Sequence, residues 1–337
     1  MPMEKFPNIS FVGRVSAESV EKKALEYEQQ VTEDHRLNLT PEIEAKLNQY
    51  EVPKSPKNVQ LFEHADTWAQ ERQKICGVQT YDFPPRNIFL LTEEGYREMV
   101  RGRGSGAAYV ESQRVVAIDR ANTFRLTAFV FHEIMHCKGK IVIELSQHEG
   151  DIHENVLRSG LVVGSTNKKN REGEKHTHLI GLEEAVVAQE EVYFSFDLLR
   201  RPEFRELKER MDSESGQQTK REILTRTGLV EDDLSWFDSE SGEYEMVGYP
   251  GQRKVLRYLC REIADEQGST DNEVYFEFLK GHFSGRLPTI AKLVEGTFGE
   301  GAFRRLGDMG KDDNSAVQTL EALKKKRLSF LKAKEKK

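Results

Sequence analysis

The chain has 337 residues, of which 37% are hydrophobic and 32% are charged. Its 18 Phe, 10 Tyr and 2 Trp are enough to fill a sizeable core, so a wholly disordered chain is excluded. Its apolar runs are far shorter than the ~18 residues that cross a bilayer, so no membrane span is expected. At about 150 residues per domain, the length predicts roughly two domains, or one large domain with appendages.

The formal net charge of −7 is unevenly distributed along the chain. Residues 324–337 contain eight Lys or Arg and one Glu, a net charge of +7, so the rest of the chain carries −14. A body this acidic is a poor general ligand for DNA or RNA, and no specific nucleic acid partner is expected. The basic tail is predicted to be a solvated, frayed helix end, with contact to nucleic acid or anionic lipid as the alternative.

The N-terminus and the cysteines both indicate the cellular compartment in which the protein is expected. The first residues lack the apolar run of ~7–15 residues that a secretory signal contains. The three cysteines, Cys76, Cys137 and Cys260, are far apart and form no C-x-x-C pair. That pattern is typical of reduced thiols, so the sequence predicts a cytoplasmic protein without a disulfide framework.

Residues 1–80 are predicted to form an N-terminal helical region. A charged helical stretch, SAESVEKKALEYEQQV, is followed by Thr40 and Pro41, which have the residue types of an N-cap and a first helical position. Pro53 and Pro56 bound a linker before a third helix, VQLFEHADTWAQERQKI, whose apolar residues recur at helical spacing.

Residues 81–200 combine strand and helix patterns. The run NIFLL is a short apolar strand, and AAYVESQRVVAI at 107–118 indicates two strands joined at the polar stretch 111–114. The segment DRANTFRLTAFVFHEIMHCKG is predicted to be a buried helix that ends near Gly139. A mixed segment with a polar loop at 165–175 separates it from a second strong helix, LEEAVVAQEEVYFSFDLL.

Residues 201–323 are predicted to form a C-terminal helical subdomain, with polar loops at 211–218 and 231–245. The basic tail at 324–337 follows. The fold class is therefore predicted to be α+β and predominantly helical. A small mixed or antiparallel sheet is expected to pack on the helix that carries residues 132–136.

That helix contains the motif HExxH, formed by His132, Glu133 and His136. Positions i and i+4 share one helix face, so the two imidazoles can bind one metal ion together. The carboxylate of Glu133 lies beside them, where it can accept a proton from a metal-activated water. Two histidines and a glutamate inside an apolar helix are costly to bury as mere packing, so we expect a metal site.

A catalytic zinc site needs a third protein ligand and an open position. A third His of the metzincin type would fall at position 142, which is Val142, so that subclass is disfavoured. A Glu from a later helix is the other common solution. The segment GLEEAVV offers Glu183 and Glu184.

With these residues the sequence resembles the gluzincin metallopeptidases, the thermolysin-like group. Members pair an HExxH helix with a downstream helix that carries a Glu ligand, often in the pattern N-E-A-x-x-D/E. Here Glu184 and Ala185 match the Glu and Ala, whereas Ala188 stands where the family often has an acid that supports a metal-bound His. Glu183 and Glu191 are the candidates to replace that acid.

The resemblance extends over residues 87–196 and implies a zincin-like core within residues 81–200. It also implies that Zn²⁺ is held by His132, His136 and Glu184, with Glu183 as the alternative third ligand. The implied activity is hydrolysis of peptide bonds by a metal-activated water. Glu133 would be the general base and would then pass the proton to the leaving amine.

In gluzincins a Tyr or His downstream of the Glu ligand stabilises the oxyanion. Tyr249, in the segment GYPGQRKVL, is the first candidate for this role and His282 is the second. The alternative for each is an aromatic ring in helix packing. An edge strand of the hairpin at 107–118 is expected to pair with an extended peptide through main-chain hydrogen bonds.

Other His and Cys residues are weaker candidates. The cluster at 148–154, HEGDIHE, is interrupted by glycine and is predicted to be an exposed loop or a helix start near the site. His176 and His178 are predicted to be solvated loop residues. Cys137 is predicted to be buried packing.

The expected partner is therefore a peptide or protein substrate. One alternative is a binding or regulatory protein that keeps the zincin fold with weak or no catalysis. Another is a zinc hydrolase of a non-peptide substrate, because HExxH determines water activation and not the substrate. The sequence indicates neither an oligomeric state nor a cleavage specificity.

Overall fold

The computed structural model describes residues 8–13, 15–32, 41–100, 107–110, 114–118, 122–148, 151–169, 175–234, 236–237 and 244–334. The elements form an α+β fold that is mostly helical, which confirms the predicted class. The predicted N-cap Thr40 and residues 111–113 of the predicted strand connection lie outside the described ranges. Of the described helices, none is both long and apolar enough to cross a membrane.

The described part of the N-terminal region contains one strand and three helices: β1 (Ile9–Gly13), α1 (Ala17–Thr32), α2 (Pro41–Tyr50) and α3 (Pro56–Ile75). The start of α3 follows from its sequence. The Ser55 side chain accepts a hydrogen bond from the backbone N–H of Asn58, and Pro56 occupies the first turn, where its missing N–H costs nothing. Strand β1 was not predicted, because its partner lies about 130 residues away in the chain: Ile9 pairs with Ile141.

The first sheet has three strands in the order β2-β4-β3. They are β2 (Ile88–Leu91), β3 (Ala107–Val110) and β4 (Arg114–Ile118), with α4 (Glu93–Val100) between β2 and β3. Strand β2 is parallel to β4 and β3 is antiparallel to it, so the predicted hairpin is confirmed. Both β3 and β4 contact the HExxH helix.

The second sheet has five strands in the order β1-β5-β6-β7-β8. The new strands are β5 (Ile141–His148), β6 (Asp151–Ser159), β7 (Val162–Lys169) and β8 (Lys175–His178). The interpretation of 148–154 as a loop or helix start was wrong: the two ends of this cluster lie in β5 and β6, and residues 149–150 are outside the described ranges. The expected polar loop was also partly wrong, because residues 165–169 belong to β7.

The small core under this sheet explains why sequence reasoning missed it. Only Ile141, Ile143 and Leu145 are buried in that apolar cluster, so the alternating pattern covers just five residues of β5. Much of the rest of β5–β8 is polar, and polar strands that bury little carry a weak periodic signal.

Two long helices, α5 (Thr123–Lys138) and α6 (Ile180–Leu198), pack against each other in the centre of the fold. Helix α5 begins where the Asn122 side chain accepts a hydrogen bond from the Arg125 N–H, and it ends at Gly139 as predicted. Helix α6 is buried almost all round, because it contacts α5, α9 and α10. Carboxylates on a helix this buried need partners inside the protein.

The C-terminal region is helical as predicted. Its helices are α7 (Arg205–Asp212), α8 (Glu214–Thr227), α9 (Pro250–Gln267), α10 (Asp271–Ser284), α11 (Leu287–Phe298), α12 (Ala302–Gly307) and α13 (Asp313–Lys334). Two short strands, β9 (Trp236–Phe237) and β10 (Tyr244–Glu245), pair between α8 and α9. Single 3-10 turns lie at Pro85–Asn87, Pro202–Phe204 and Glu231–Asp233.

Two C-terminal predictions need correction. The segment 211–218 is helical except at Ser213, whose side chain caps α8 by accepting a hydrogen bond from the Gly216 N–H. The basic tail is not frayed at its start, because α13 continues to Lys334. Arg327, which was assigned to the tail, is 7% exposed and donates to the Thr297 carbonyl and to Glu266.

One cluster of buried apolar side chains extends from Leu61 to Leu323 and includes residues of the N-terminal, central and C-terminal regions. Helices α5 and α6 contribute many of its members, so the HExxH helix α5 packs against neighbouring elements on several sides. A side chain on either helix therefore has a restricted set of orientations.

Candidate metal centre

The two HExxH histidines project from the same face of α5. They are one helical turn apart, and their Nε2 atoms lie 3.2 Å from each other. The side chain of His132 is 11% exposed and that of His136 is 15% exposed. Both rings thus point their Nε2 atoms at one common position close to solvent.

Helix α6 places the carboxylate of Glu184 against both imidazoles. Its Oε2 atom is 3.3 Å from Nε2 of His132 and 3.5 Å from Nε2 of His136. A tetrahedral zinc site with bonds of about 2.0–2.1 Å separates its ligand atoms by about 3.3–3.4 Å. The triangle formed by His132, His136 and Glu184 therefore has the size of one face of such a tetrahedron.

The outer nitrogens of both rings are held by carboxylates of α6. Nδ1 of His132 is 2.8 Å from Glu191 Oε2, and Nδ1 of His136 is 3.1 Å from Glu183 Oε1. A carboxylate only accepts, so each Nδ1 carries a proton, and in the neutral ring that can bind a metal the lone pair is on Nε2. Glu191 and Glu183 thus supply the support that a carboxylate at position 188 gives in the gluzincin pattern.

Glu183 is itself anchored from behind. It accepts hydrogen bonds from the backbone N–H of Leu161 at 2.8 Å and from Nδ1 of His282 at 3.0 Å. His282 is fully buried, and its Nε2 is 3.0 Å from the carbonyl oxygen of Met135. This second candidate for the oxyanion donor lies behind Glu183, with both ring nitrogens already engaged.

We refer to Glu183, Glu191 and His282 as the buried side of the site. The open side consists of Glu133, Tyr249 and Lys311. Glu133 is partly exposed on α5, and it is near enough for its negative charge to raise the pKa of His132 and of Tyr249.

Tyr249 enters the site from the turn before α9. Its ring lies nearly parallel to that of His132, with centroids 6.2 Å apart, and its hydroxyl lies near the Glu184 carboxylate. Burial raises the pKa of the hydroxyl, and the charges of Glu184 and Glu133 raise it further, so it stays a donor. Its backbone has φ 58°, a left-handed conformation that costs a non-glycine residue about 1–3 kcal/mol and that often occurs at functional sites.

Lys311 reaches the site from the segment between α12 and α13. Its ammonium group pairs with Oε1 of Glu184 and lies 5.9 Å from the centre of the Tyr249 ring. This segment is held close to α6: the Gly181 N–H donates to the Met309 carbonyl, and a Cβ at Gly181 would lie 2.5 Å from the Gly310 carbonyl oxygen. Only glycine allows that approach.

The charges of the site are mutually dependent in the metal-free chain. Burial lowers the pKa of His136, but the carboxylates of Glu184 and Glu183 outweigh it and raise the pKa to about 9. Burial raises the pKa of Glu183, but His282 and His136 outweigh it and lower the pKa to about 2. The carboxylates therefore stay ionised and favour positive charge between them, whether from protons or from a metal ion.

Comparisons of this chain with protein-family models, curated proteins and solved structures find no match. The assignment of the site consequently depends on its own geometry and donor atoms. Two imidazole nitrogens and one carboxylate oxygen, each with its remaining polar atoms engaged elsewhere, form a donor set that suits Zn²⁺.

Of the remaining candidates, His178 and Cys137 have described side chains, and neither is part of the ligand triangle. His178 is half exposed, with Nδ1 3.7 Å from Asp308, and Cys137 is fully buried as predicted. The side chains of His148, His153 and His176 lie outside the described residues.

Sequence reasoning missed Lys311, which nothing near it in sequence marks as functional. It also missed the position of His282 behind Glu183. The only local signal for Lys311 was glycine at 307 and 310, which indicates a close approach of backbone.

Proposed function

We propose that this chain is a zinc-dependent metallopeptidase of the gluzincin type, with a zincin-like core formed by α5, α6 and the sheet of β2, β3 and β4. The observation that carries the proposal is the triangle of His132 Nε2, His136 Nε2 and Glu184 Oε2, whose edges measure 3.2, 3.3 and 3.5 Å. Three protein ligands leave one position of a tetrahedron open, which is the arrangement of catalytic and not of structural zinc sites.

A zinc ion at this position would supply the Lewis acidity that brings the pKa of a water molecule to about 7. Glu133, beside the ligands and partly exposed, accepts the proton of the attacking water and delivers it to the amine that leaves. The Tyr249 hydroxyl, which stays protonated near Glu184 and Glu133, donates a hydrogen bond to the oxygen of the tetrahedral intermediate. Glu191 and Glu183 keep the imidazoles in position during these steps.

The neighbouring strand favours a peptide as the substrate. Strand β3 contacts α5 and pairs with β4 on one side, and among the described residues no strand pairs with its other side. An extended peptide can add to that edge through main-chain hydrogen bonds, which would place a scissile amide along the HExxH helix. The other edge of the sheet, β2, is already bonded by Val52 and bridged by Glu51.

The test combines metal content with peptide cleavage. Zinc is measured by elemental mass spectrometry in the wild type and in His132→Ala, Glu184→Ala, Glu184→Gln and Glu133→Gln. We expect about one zinc per chain in the wild type and in Glu133→Gln, none in His132→Ala, and weakened binding in both Glu184 variants. Cleavage of a mixture of unstructured peptides, read by mass spectrometry, should fall about 10²–10⁴-fold in Glu133→Gln.

Each contrary result overturns a defined part of the proposal. A wild type without zinc after reconstitution contradicts the metal site. Zinc that survives both Glu184 changes moves the third ligand to Glu183. Zinc without cleavage of any peptide contradicts the peptidase and favours a zincin-fold binding protein or a hydrolase of a non-peptide bond.

A further inference from the structure

We propose that Gln252 is a positioning residue: it joins the turn that carries Tyr249 to the segment that carries Lys311, and so sets where the Tyr249 hydroxyl lies. This deepens the proposed peptidase, on which it rests. Gln252 is in the first turn of α9, three residues after Tyr249, and its side chain is fully buried. Its described hydrogen bonds go to residues 310 and 312 and not to the ligand triangle.

The side-chain amide of Gln252 binds the backbone on both sides of Lys311. Its Nε2 donates to the carbonyl oxygens of Gly310 and Asp312, each at 3.0 Å. An amide nitrogen has two hydrogens, so both bonds can form at the same time. The reverse orientation of the amide would place its oxygen against two carbonyl oxygens. Because buried polar groups are costly to leave unsatisfied, the amide and the two carbonyls hold each other in place.

The segment that carries Lys311 is also held by α6 and by its own side chains. The Leu179 N–H, at the start of α6, donates to the Gly307 carbonyl at 2.8 Å. The Gly310 N–H donates to the Ser315 hydroxyl at 2.7 Å. The segment thus lies between two helix starts, that of α6 on one side and that of α9 on the other, and Gln252 provides the contact with α9.

The turn that carries Tyr249 needs support from its surroundings. Tyr249 has φ 58°, and a non-glycine residue persists in this conformation only where the structure around it enforces it. The Tyr249 carbonyl accepts from the Arg253 N–H at 3.0 Å, which ties the turn to α9. A Cβ at Gly251 would lie 2.8 Å from Oδ1 of Asp313, so this part of α9 packs closely on the start of α13. The amide of Gln252 adds the hydrogen bonds to that packing.

The consequence for catalysis concerns the distance between two groups. The Tyr249 hydroxyl lies near the Glu184 carboxylate, and the Lys311 ammonium group pairs with the same carboxylate. Gln252 fixes the spacing of the two backbones from which these side chains extend. A shift of about 1 Å in a catalytic group can cost about 10²-fold in rate. Loss of the amide should therefore lower the rate without removing a metal ligand.

The first test needs neither metal nor substrate. Hydrogen exchange of the metal-free full chain is followed by mass spectrometry in the wild type and in Gln252→Met, which removes both donated hydrogen bonds and keeps an unbranched side chain of similar size. We expect about tenfold faster exchange in residues 309–313 and in the first turn of α9, and unchanged exchange in α5.

The matched control is Gln217→Met. Gln217 lies on α8, outside the site, and its amide also donates to a backbone carbonyl, that of Met211, at 2.8 Å. Gln217→Met should leave exchange in both segments and kcat at the wild-type level.

The second test is a double-mutant cycle on a peptide found in the cleavage screen. Gln252→Met should lower kcat about 10–100-fold, with little change in KM. In a Tyr249→Phe background it should lower kcat by less than about twofold, because the hydroxyl that it positions is already absent. A general loss of folded enzyme would instead lower kcat equally in both backgrounds.

Zinc affinity separates this role from support of the ligands. Chelator competition should give Gln252→Met an affinity within about fivefold of the wild type, since the only zinc-site contact it loosens is the half-exposed pair of Lys311 with Glu184. A loss as large as that of His132→Ala would mean that Gln252 supports the metal ligands and would overturn the proposal.

The other outcomes separate the proposal from the enzyme itself. Unchanged exchange in either segment overturns the link between them, and faster exchange throughout the chain indicates general destabilisation and also overturns it. Equal losses of kcat with and without the Tyr249 hydroxyl overturn the positioning role. A wild type that cleaves no peptide overturns the peptidase, and that role with it, while the exchange data still decide whether Gln252 joins the two segments. If Gln252→Met fails to fold, Gln252→Asn, whose amide is one methylene shorter, replaces it.

Discussion

The buried and the open side of the candidate metal centre differ in how their groups are held. On the buried side, Glu183, Glu191 and His282 are at most 2% exposed. Glu191 hydrogen-bonds with His132, and Glu183 hydrogen-bonds with His282. Their neighbours are helices α5, α6 and α10 of the main apolar core. Such groups are expected to keep the imidazoles in one orientation.

On the open side, Glu133, Tyr249 and Lys311 are partly exposed and come from three separate segments. Lys311 pairs with Glu184 in the metal-free chain and Tyr249 lies near that carboxylate, so both side chains must adjust when a substrate enters. In the proposed enzyme, the contrast assigns ligand geometry to the buried side and proton transfer to the open side. Changes on the buried side should therefore act on zinc affinity, and changes on the open side on rate.

The largest expected effect is on the open side, in Tyr249→Phe. Removing a single oxyanion donor typically lowers kcat by about 10²–10³-fold. Zinc content should stay at the wild-type level, because the phenyl ring can still stack on His132. The measurement is kcat and KM on a peptide found in the cleavage screen, together with zinc content. An unchanged kcat would mean that Tyr249 only packs against His132.

The next effect is on the buried side, in Gly160→Ala. The new Cβ would lie 2.3 Å from the Glu183 carboxylate at a backbone position with φ 59°, so overpacking and strain add up to about 2–4 kcal/mol of lost stability. Gly228→Ala is the control, because Gly228 has φ 67° and nothing within 4 Å of its Cβ, and should lose only about 1–2 kcal/mol. Urea unfolding measures both variants. Equal losses would show that the packing around Glu183 is loose.

Glu191→Gln should weaken zinc binding by about tenfold. Loss of a residue that hydrogen-bonds a metal ligand typically costs about 10–100-fold in affinity, and the loss here should be small because the amide can still accept from Nδ1 of His132. The measurement is chelator competition. Glu203→Gln, which changes a carboxylate paired with Arg201 on the surface, is the control. If Glu191→Gln reduced kcat and left zinc affinity unchanged, the division between the two sides would be wrong.

Local sequence was sufficient to predict the two imidazoles. His132 and His136 are four residues apart on a strongly apolar helix, so helical geometry alone brings them to one face. It was not sufficient to separate the roles of the glutamates on α6. That helix is buried on all sides, so Glu183, Glu184 and Glu191 have no solvent face to distinguish them, and the packing of α5 and α10 determines what each one meets.

The fold was predictable to a similar extent. Helix α5 ends at Gly139 as predicted. The starts of α3 and α5, which Ser55 and Asn122 cap, differ by a few residues from the predicted ones. Strand β1 depends on a partner about 130 residues away, and much of β5–β8 is polar, so neither gives a local signal. Long-range pairing and contacts such as Lys311 with Glu184 follow from tertiary packing, which single-sequence patterns do not encode.

Lys311→Met should have the smallest effect. It tests the difference between the open and the buried side through the dependence of zinc affinity on salt concentration. The side chain of Lys311 is 46% exposed, so its pair with Glu184 is screened, and zinc affinity should change only about two- to fivefold. That change should shrink between 0.05 and 1 M NaCl, where the screening length falls to about 3 Å. The effect of Glu191→Gln should persist, because Glu191 is 2% exposed and salt cannot enter between it and His132. Equal salt responses of the two variants would mean that the two sides do not differ in their exposure to solvent.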